Sequence, residues 1–405
     1  MRQPTRSCAS CFVVSEWALT ENWAAVPFSA AFRGKPRGLQ IPQIAASKVR
    51  PSGRWPVVGQ GAGQIEGYTD DRSLLFPVEL LPVILYGPHT RRVKLVTDPF
   101  VAGPNVRFIW PTAGYDTDFA YYMALAVDVP SRGYNDHFTM FKQQTFPRPP
   151  LLEQQAIAGV LRAIRQATEA TEQVIAAARV LRRTVSNVLL DGMWDQRGHG
   201  ETVASGNLPE RRAVELGSVA NISTGTTPST ARPDYHLGKT PFVRTAEIAN
   251  NIITRAQAWV SDLAIADYRL KVYQPGTVFL AMYGQGKTRG QVALLGIEAT
   301  TSQNTAAIVP GPDLDSRYLW LYLLSRYQSL RSDGMQGHIS HLNLGFVQRL
   351  VVPLPSLAKQ RDIASILTAV DRKIAAEEHR RGALGALFAR LLDDLMSARL
   401  RVQPS

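Results

Sequence analysis

Two long stretches of the chain carry apolar residues at spacings of three and four, and no proline lies inside either stretch. In the first stretch they are Ile157, Val160, Leu161, Ile164, Val174, Ile175, Ala178, Leu181, Val185, Val188 and Leu189; in the second they are Ile363, Ile366, Leu367, Val370, Ile374, Leu384, Leu387, Leu391 and Leu395. This pattern predicts two amphipathic helices of about 40 residues, each roughly 60 Å long. Few domains bury such a helix alone, so the matching stripes favour pairing as a coiled coil. The alternative is an ordinary amphipathic helix interrupted by a turn in each stretch.

The two stretches begin with the same sequence pattern. The segment from Pro149 to Leu161 reappears without a gap from Pro355 to Leu367, so that Gln154 falls on Gln360. The segments before the helices are also paired, more faintly, as short β-type runs punctuated by Gly, Pro and Asn. These pairs are 56–63 with 241–248, 80–87 with 276–284, 106–111 with 304–310, and 118–125 with 317–324. The pattern therefore predicts a mixed α/β (α+β) module followed by a long helix, repeated once.

Composition excludes several classes of protein. Hydrophobic residues make up 45% and charged residues 19% of the 405 residues, which is a globular balance. No run of 18 apolar residues is present, so a membrane-spanning helix is not expected. Two cysteines cannot form a disulfide scaffold, which favours a reducing, cytoplasmic location. The net charge of +12, from 45 basic and 33 acidic residues, suggests a polyanionic partner. No segment forms a polybasic tail, so folded surfaces would have to bind it.

The order of the repeated motifs resembles the specificity subunit of a type I restriction–modification system. The resemblance spans nearly the whole chain and is carried by the Pro-x-Leu-x-(Glu/Lys)-Gln-x-x-Ile pattern at 149–157 and 355–363. The second module adds Val214-Glu-Leu-Gly-Ser-Val-Ala-Asn-Ile-Ser-Thr-Gly225, Met282-Tyr-Gly and Ser302-Gln-Asn-Thr-Ala. The first module lacks a clean counterpart of the opening at Leu216, and residues 1–22 match no family pattern.

The resemblance implies a pseudo-two-fold architecture of two target recognition domains and two spacer helices, the helices forming an antiparallel coiled coil. The expected divisions are 1–22 (N-terminal extension), 23–150 (recognition domain 1), 151–196 (spacer helix 1), 197–210 (linker), 211–354 (recognition domain 2), 355–400 (spacer helix 2) and 401–405 (tail). Each recognition domain would read one half of a split sequence in double-stranded DNA. The helices would dock two methyltransferase subunits, with Gln154, Ile157, Gln360 and Ile363 as candidate contacts, and restriction or motor subunits would join for cleavage.

A loop in the second module resembles a nucleotide-binding motif. Tyr283-Gly-Gln-Gly-Lys-Thr288 ends like a phosphate-binding P-loop, but Ala281 stands where that motif requires its first glycine. The segment from Arg289 to Val292 predicts a hairpin and a strand instead of the required helix. A turn that presents Tyr283, Lys287 and Arg289 to a DNA phosphate backbone is favoured, and a solvated turn remains the alternative.

The remaining candidate contacts to DNA are scattered. Gln60, Gln64 and Tyr68, on or near the Gly-rich loop 59–64, could hydrogen-bond base edges. The cations Arg91, Arg92 and Lys94 are candidate phosphate contacts, although a solvated charge run explains them equally well, and Arg244 is a further candidate contact to DNA. His338 and His341 could face the duplex or simply form a turn. Cys8 and Cys11 have no second pair at zinc spacing, so no metal site is expected.

No catalytic motif accompanies these residues. The single Pro-Pro, in Arg148-Pro-Pro-Leu151, lacks the preceding polar residue and the following aromatic of an amino-group DNA methyltransferase. We therefore expect a non-catalytic chain that binds no cofactor, with S-adenosylmethionine, ATP and Mg²⁺ confined to the partner subunits. Two other functions stay open: a nucleotide-binding enzyme that uses the loop from Gly284 to Thr288, and a coiled-coil scaffold that binds protein only.

Overall fold

A computed structural model describes residues 23–131, 133, 135–191, 212–284, 287–333 and 342–403. The chain divides into two compact units, Met1–Glu172 with His379–Ser405, and Gln173–Glu378. Both boundaries between the two units lie inside the long helices, not at the helix ends. Residues 1–22, the expected linker 197–210, His338 and His341 lie outside the described residues.

The first unit is a module of short strands and helices that leads into a long helix. Its elements are β1 (Ala24–Pro27), α1 (Phe28–Ala31), β2 (Phe32–Gly34), β3 (Trp55–Val58), β4 (Gly67–Thr69), β5 (Val83–Tyr86), β6 (Val93–Val96), β7 (Val101–Ala102), β8 (Arg107–Pro111), α2 (Thr117–Ala126), α3 (Phe138–Lys142), β9 (Thr145–Arg148) and the start of α4 (Leu151–Ser186). The strands form sheets in the orders β2-β8-β5-β6, β4-β3-β7 and β1-β9. All pairs are antiparallel except β3 with β7.

The second unit repeats this plan with additions. Its elements are β10 (Arg212–Glu215), α5 (Leu216–Val219), β11 (Ala220–Thr224), β12 (Thr240–Val243), β13 (Asn251–Ile253), β14 (Ala258–Val260), α6 (Asp262–Tyr268), β15 (Val278–Ala281), β16 (Val292–Leu295), β17 (Thr300–Thr301), β18 (Thr305–Pro310), α7 (Ser316–Ser325), α8 (Tyr327–Asp333), α9 (Leu344–Gln348), β19 (Val351–Leu354) and the start of α10 (Leu357–Met396). The sheet orders are β11-β18-β15-β16-β13, β14-β12-β17 and β10-β19. Strand β13 lies parallel to β16 and has no counterpart among the described strands of the first unit.

The duplication predicted from the sequence is confirmed by these sheet orders, and it is more complete than expected. In each unit a short antiparallel pair (β1-β9 or β10-β19) brackets the module, directly before the long helix. The first module has no clean sequence counterpart of the opening at Leu216, but its structure contains the corresponding strands and helix. Helix α1 stands between β1 and β2 as α5 stands between β10 and β11. Each is a four-residue helix that buries one apolar side chain, Ala31 or Leu216. One buried apolar residue is a weak sequence constraint, so the two openings can share a structure without sharing a motif.

Central strands are buried on both faces, which explains their continuous apolar runs. Side chains alternate across a strand. In β5, Ile84 and Tyr86 therefore join the core that contains α2, and Val83 and Leu85 join a second core around Phe76. Strand β15 divides its side chains between two cores of the second unit in the same way.

Both long helices are continuous, which excludes an interrupting turn. Helix α4 ends at Ser186 and continues as a π-helical turn, Asn187–Asp191; residues 192–196 of its expected range lie outside the described part. Helix α10 is shorter than the expected 355–400. It begins after Pro355 and Ser356, and beyond its end at Met396 the backbone turns left-handed at Ala398.

The helices run antiparallel. In the second unit the guanidinium of Arg179 contacts Glu378 at 2.5 Å and that of Arg182 contacts Asp371 at 3.1 Å, so rising numbers in α4 meet falling numbers in α10. In the first unit, Leu395 near the end of α10 shares a core with residues of the first turns of α4. The predicted antiparallel pairing is confirmed.

Candidate nucleic-acid interface

In the first module, the loop after β3 is fastened to the β5–β6 hairpin. The side-chain oxygen of Gln60 accepts a hydrogen bond from the backbone N–H of His89 at 3.3 Å, and its carbonyl accepts one from the Thr90 hydroxyl at 2.7 Å. The side-chain amide of Gln64 donates to the carbonyl of Leu95 at 3.4 Å. A Cβ at Gly103 would lie 2.8 Å from the Cα of Gly59, so glycine at 103 permits this close approach of two backbones. The structure thus brings Gln60 and Gln64 together with the basic hairpin.

Lys94 is not a surface cation. Its side chain is buried, its Nζ donates to the carbonyl of Gly63 at 2.6 Å, and the carboxylate of Glu66 lies 3.8 Å away. Burial lowers the pKa of the Lys94 amine, and the neighbouring Glu66 opposes that shift. The interpretation of Lys94 as a phosphate contact or part of a solvated run is therefore corrected: Lys94 holds the Gly-rich loop in place.

The other candidates of the first module differ in exposure. Arg91 has a left-handed backbone, and its guanidinium donates to the carbonyl of Val129 at 2.7 Å. Arg92 is exposed in the loop of the same hairpin, directly before β6. Tyr68 is half-buried in β4, where its backbone pairs with that of Arg50. Arg91 and Lys94 therefore bind backbone carbonyls of the module itself, whereas Arg92 is exposed and is the better candidate for a contact to DNA.

In the second module, helix α8 is hydrogen-bonded to the β15–β16 hairpin. The hydroxyl of Tyr327 donates to the carbonyl of Lys287 at 2.6 Å, and Arg331 donates to that hydroxyl at 2.9 Å. Arg289 is half-buried and donates to the carbonyl of Arg331 at 3.3 Å. Lys287 is exposed, and the side chain of Tyr283 is 38% exposed. The hairpin therefore presents Lys287 and Tyr283 outward, while Arg289 anchors it.

The described part of this loop does not have the context of a P-loop. A P-loop delivers phosphates to the N-terminus of a helix. Here Thr288 is followed by a turn that ends at Gly290, and strand β16 begins at Val292. Gln285 and Gly286 lie outside the described residues. Among the residues that are described, no group of three or more His, Cys, Asp or Glu is placed to hold a metal ion.

A polar patch that the sequence analysis did not predict lies beside Arg244. Arg244 follows β12 directly, is exposed, and its backbone N–H donates to Glu247 at 2.9 Å. Next to it, the hydroxyl of Thr245 contacts that of Ser302 at 3.0 Å, and Gln303 accepts a hydrogen bond from Thr227. The motif from Ser302 to Ala306 was the signal that could have identified Gln303.

The four residues predicted to contact methyltransferase subunits are buried inside the chain. Gln154 and Gln360 are fully buried and hydrogen-bonded to backbone groups, and Ile157 and Ile363 belong to the cores of their units. The prediction that they form a docking surface was wrong, because their place at the start of each helix turns them towards the preceding module.

An exposed seam is present instead on the second-unit part of α4 and on the π-helical turn that follows it. Its residues recur at spacings of three and four and, apart from Thr184, are apolar: Val174, Ala177, Leu181, Thr184 and Val188. The side chains of Val174, Leu181 and Val188 are exposed. This is the a/d pattern of a coiled-coil seam with no described helix covering it.

Comparison with known proteins agrees with the fold. The family model described as "Type I restriction modification DNA specificity domain" matches residues 211–384. The MjaIX type I restriction enzyme specificity subunit of Methanocaldococcus jannaschii is 24% identical over 172 residues, which are 41% of this chain and 39% of that protein. The match thus spans about two fifths of the relative's length.

Solved structures extend the likeness to both units. The S subunit of a type I restriction–modification system from M. genitalium has a TM-score of 0.61 at 16% identity, covering 93% of this chain and 96% of its own. A chain from a structure of complex assembly and conformational transition of the type I R-M system has a TM-score of 0.50 at 17% identity, covering 94% and 99%. At these identities the likeness shows the fold. None of the described helices contains an apolar stretch that could span a lipid bilayer. Residues 211–384 thus match the type I specificity domain, and the fold of the whole chain is similar to that of solved type I S subunits.

Proposed function

We propose that this chain is the non-catalytic subunit that gives a type I restriction–modification complex its DNA sequence specificity. The observation that carries the proposal is the repetition of one strand order with different side chains at equivalent loops. The loop after β3 carries Gln60 and Gln64, whereas the segment after β12 carries Arg244. Two similar scaffolds with different exposed residues suit a split target whose halves differ in sequence.

The exposed groups of the two modules divide by chemistry. Arg92 and Lys287, at the equivalent hairpins β5–β6 and β15–β16, suit phosphate oxygens, which position a protein on the duplex. Arg244 and Gln303 have side chains that pair with guanine and adenine edges in the major groove. The net charge of +12 adds a sequence-independent attraction to DNA.

The proposed complex places chemistry in other subunits. Methyltransferase subunits would bind S-adenosylmethionine and extract the target base from the duplex, and motor-endonuclease subunits would use ATP and Mg²⁺. We expect no cofactor on this chain itself and assembly in the cytoplasm.

The exposed seam on α4 is the surface to which we expect the methyltransferase subunits to bind. Val174, Leu181 and Val188 recur every seven residues, so a helix from a partner could insert its own apolar side chains between them. The duplicated plan of the chain favours two copies of that partner.

Mapping of methylated sites tests the function. The chain is assembled with the methyltransferase subunits of its system, and methylation is mapped on DNA of diverse sequence. We expect methylation at one split sequence only, with Arg244→Ala relaxing one half of the target and leaving the other half unchanged. Methylation without sequence preference would overturn the proposal.

A nucleotide-binding assay tests the enzyme alternative. We expect no binding of ATP by the isolated chain, and Lys287→Ala to weaken DNA binding instead. ATP binding that Lys287→Ala abolishes would favour the enzyme.

A further inference from the structure

Three segments of the second module meet where two of its strands end. Strands β12 and β17 pair in parallel with Val243 opposite Thr301, so the residues that follow them, Arg244 and Ser302, leave the same edge of the sheet. The third segment follows β11 and packs against the end of β17. A Cβ at Gly225 would lie 1.8 Å from the carbonyl oxygen of Thr301, so glycine at 225 permits this close approach.

Gln303 is held in one orientation at this meeting point. It is exposed in the turn between β17 and β18, which is closed by a hydrogen bond from the backbone N–H of Thr305 to the carbonyl of Ser302 at 3.2 Å. Two residues beyond Gly225, the hydroxyl of Thr227 donates to the side-chain oxygen of Gln303. An amide whose oxygen is bound on one side presents the N–H donors of its NH2 group on the other.

The charges around Gln303 favour base edges over phosphates. Arg244 is the cation of the polar patch, and the carboxylate of Glu247 beside it balances that charge. This carboxylate accepts hydrogen bonds from the backbone N–H groups of Arg244 and Gln257, each at 2.9 Å. The other polar side chains of the patch are neutral and are hydrogen-bonded to one another. Phosphate binding benefits from an excess of positive charge, as at exposed Lys287, whereas bases are read by groups that are fixed in position.

The equivalent place in the first module carries no such pair of side chains. Strands β3 and β7 are parallel in the same way as β12 and β17. In that register Gly59 stands for Arg244 and Pro104 stands for Gln303. Neither glycine nor proline has a side-chain donor. The donor groups therefore belong to the half of the target that the second module would read.

We propose that Gln303 reads a guanine in this half of the target, and that Thr227 is the positioning residue that sets the preference. A glutamine that turns freely pairs with adenine through its oxygen and its NH2 group together. Because the oxygen of Gln303 is held by Thr227, the NH2 group is the part left for a base. Guanine is the base that presents two acceptors, O6 and N7, and no donor in the major groove. The inference rests on the proposed function and narrows the readout of one residue.

Removal of the hydroxyl at position 227 tests this inference. The full chain is assembled with the methyltransferase subunits of its system, and methylated sites are mapped. We expect wild type to require a guanine in the second half of the target. Thr227→Val, which has nearly the same shape, should raise methylation of sites with adenine at that position about tenfold, because the freed amide can then accept from adenine. The first half of the target should not change.

Two matched variants control for a merely structural effect. Thr227→Ser keeps the hydroxyl and should keep the wild-type preference. Thr226→Val makes the same change at the exposed neighbouring residue and should also keep it, because the hydrogen bond to Gln303 comes from Thr227. Thermal melting verifies the folding of each variant. Gln303→Ala provides an independent test, since it should relax the same position for every base and leave the binding of a random-sequence duplex unchanged.

Several results would overturn the inference. A wild-type target without a guanine in its second half would do so, as would an unchanged target in Thr227→Val. Weaker binding of Gln303→Ala to every sequence would assign Gln303 to phosphates. Equal relaxation in Thr227→Val and Thr227→Ser would show that the hydroxyl does not set the preference. Methylation by wild type without any sequence preference is a different outcome, because the proposed function itself then fails.

Discussion

The side-chain oxygen of Gln154 accepts a hydrogen bond from the backbone N–H of Asp116 at 2.9 Å, directly before α2. Its amide group donates to the carbonyls of Gly114 and Pro149 at 3.0 and 2.8 Å. Gln360 makes the same three hydrogen bonds in the second unit. Its partners are Asp315, Asp313 and Pro355. One buried amide per unit therefore joins the first turn of the long helix to the loop that precedes α2 or α7 of the same unit.

Replacement of this amide should destabilise the unit that contains it. Gln154→Leu leaves one half-buried N–H and two carbonyls without their partner, and each such group that water cannot reach costs about 1–3 kcal/mol. We expect the free energy of unfolding to fall by about 3 kcal/mol, measured by chemical denaturation, and Gln360→Leu to behave alike. Gln155→Leu, at an exposed neighbouring position, should change it by less than about 0.5 kcal/mol. Equal effects at 154 and 155 would contradict the role of the amide.

The segment after α10 is part of the first unit and not a free tail. Arg401 donates to the carboxylate of Glu153 at 2.9 Å, and its guanidinium lies 5.4 Å from the ring centre of Trp23. Trp23 donates to the same carboxylate at 3.1 Å. Arg401→Ala leaves a carboxylate that is 5% exposed with one fewer donor.

Loss of a partner from a fully buried ion pair costs about 3–5 kcal/mol. Because Arg401 is about one third exposed, we expect a loss of about 2 kcal/mol in the free energy of unfolding. Arg399→Ala removes ion pairs with exposed Asp393 and with Asp394, which keeps Arg390 as a second partner, and should cost less than about 1 kcal/mol. A larger loss of unfolding free energy in Arg399→Ala than in Arg401→Ala would show that the ion pair between Arg401 and Glu153 does not stabilise the unit.

Tyr115 should make the first unit sensitive to alkaline pH. Its hydroxyl is buried and donates to the carbonyl of Pro147 at 3.1 Å, and burial raises its pKa to about 12 although Arg148 opposes the shift. An unfolded tyrosine has a pKa of about 10. The unfolded state therefore loses its proton first, and the stability present below about pH 10 is lost as the pH rises towards 12.

Urea denaturation near neutral pH and at about pH 11 measures this loss. We expect the free energy of unfolding of wild type to decrease more between the two conditions than that of Tyr115→Phe, which has no proton to lose. Parallel decreases in the two proteins would show that Tyr115 does not titrate differently in the folded state.

Exposed cations of the two hairpins should contribute to DNA binding, whereas the buried cation Lys94 should not. Arg92→Ala and Lys287→Ala each remove a proposed phosphate contact, so the affinity should fall for every sequence and the salt dependence should decrease by about one unit of slope. Lys94→Met should leave that slope unchanged, because its amine is buried against Gly63. Titration of a labelled duplex at several salt concentrations measures both quantities; a reduced slope in Lys94→Met would contradict the assignment.

Local patterns predicted the architecture, whereas tertiary contacts decided the site residues. The spacing of apolar residues is a property of each helix, so α4, α10 and their duplication could be inferred directly. The repeated Gln154 and Gln360 suggested a shared docking function, but repetition does not distinguish a buried amide from an exposed one. Lys94 continues a basic run in the sequence, and only the fold of the loop from Gly59 to Glu66 buries it. The bounds of α10 shifted because Ser356 precedes its first turn and the backbone reverses at Ala398.

The seam on α4 predicts where assembly depends on apolar contact. Leu181 is 52% exposed at the centre of the seam, so Leu181→Asp places a charge where a partner helix would pack. We expect the association of the methyltransferase subunit to weaken about tenfold or more at both low and high salt, because an apolar contact is not screened. Ala176→Asp introduces the same charge at an exposed position outside the seam and should leave association within about twofold. A loss of the same size at low and at high salt would identify the contact as apolar; unchanged association of Leu181→Asp would remove the seam from the interface.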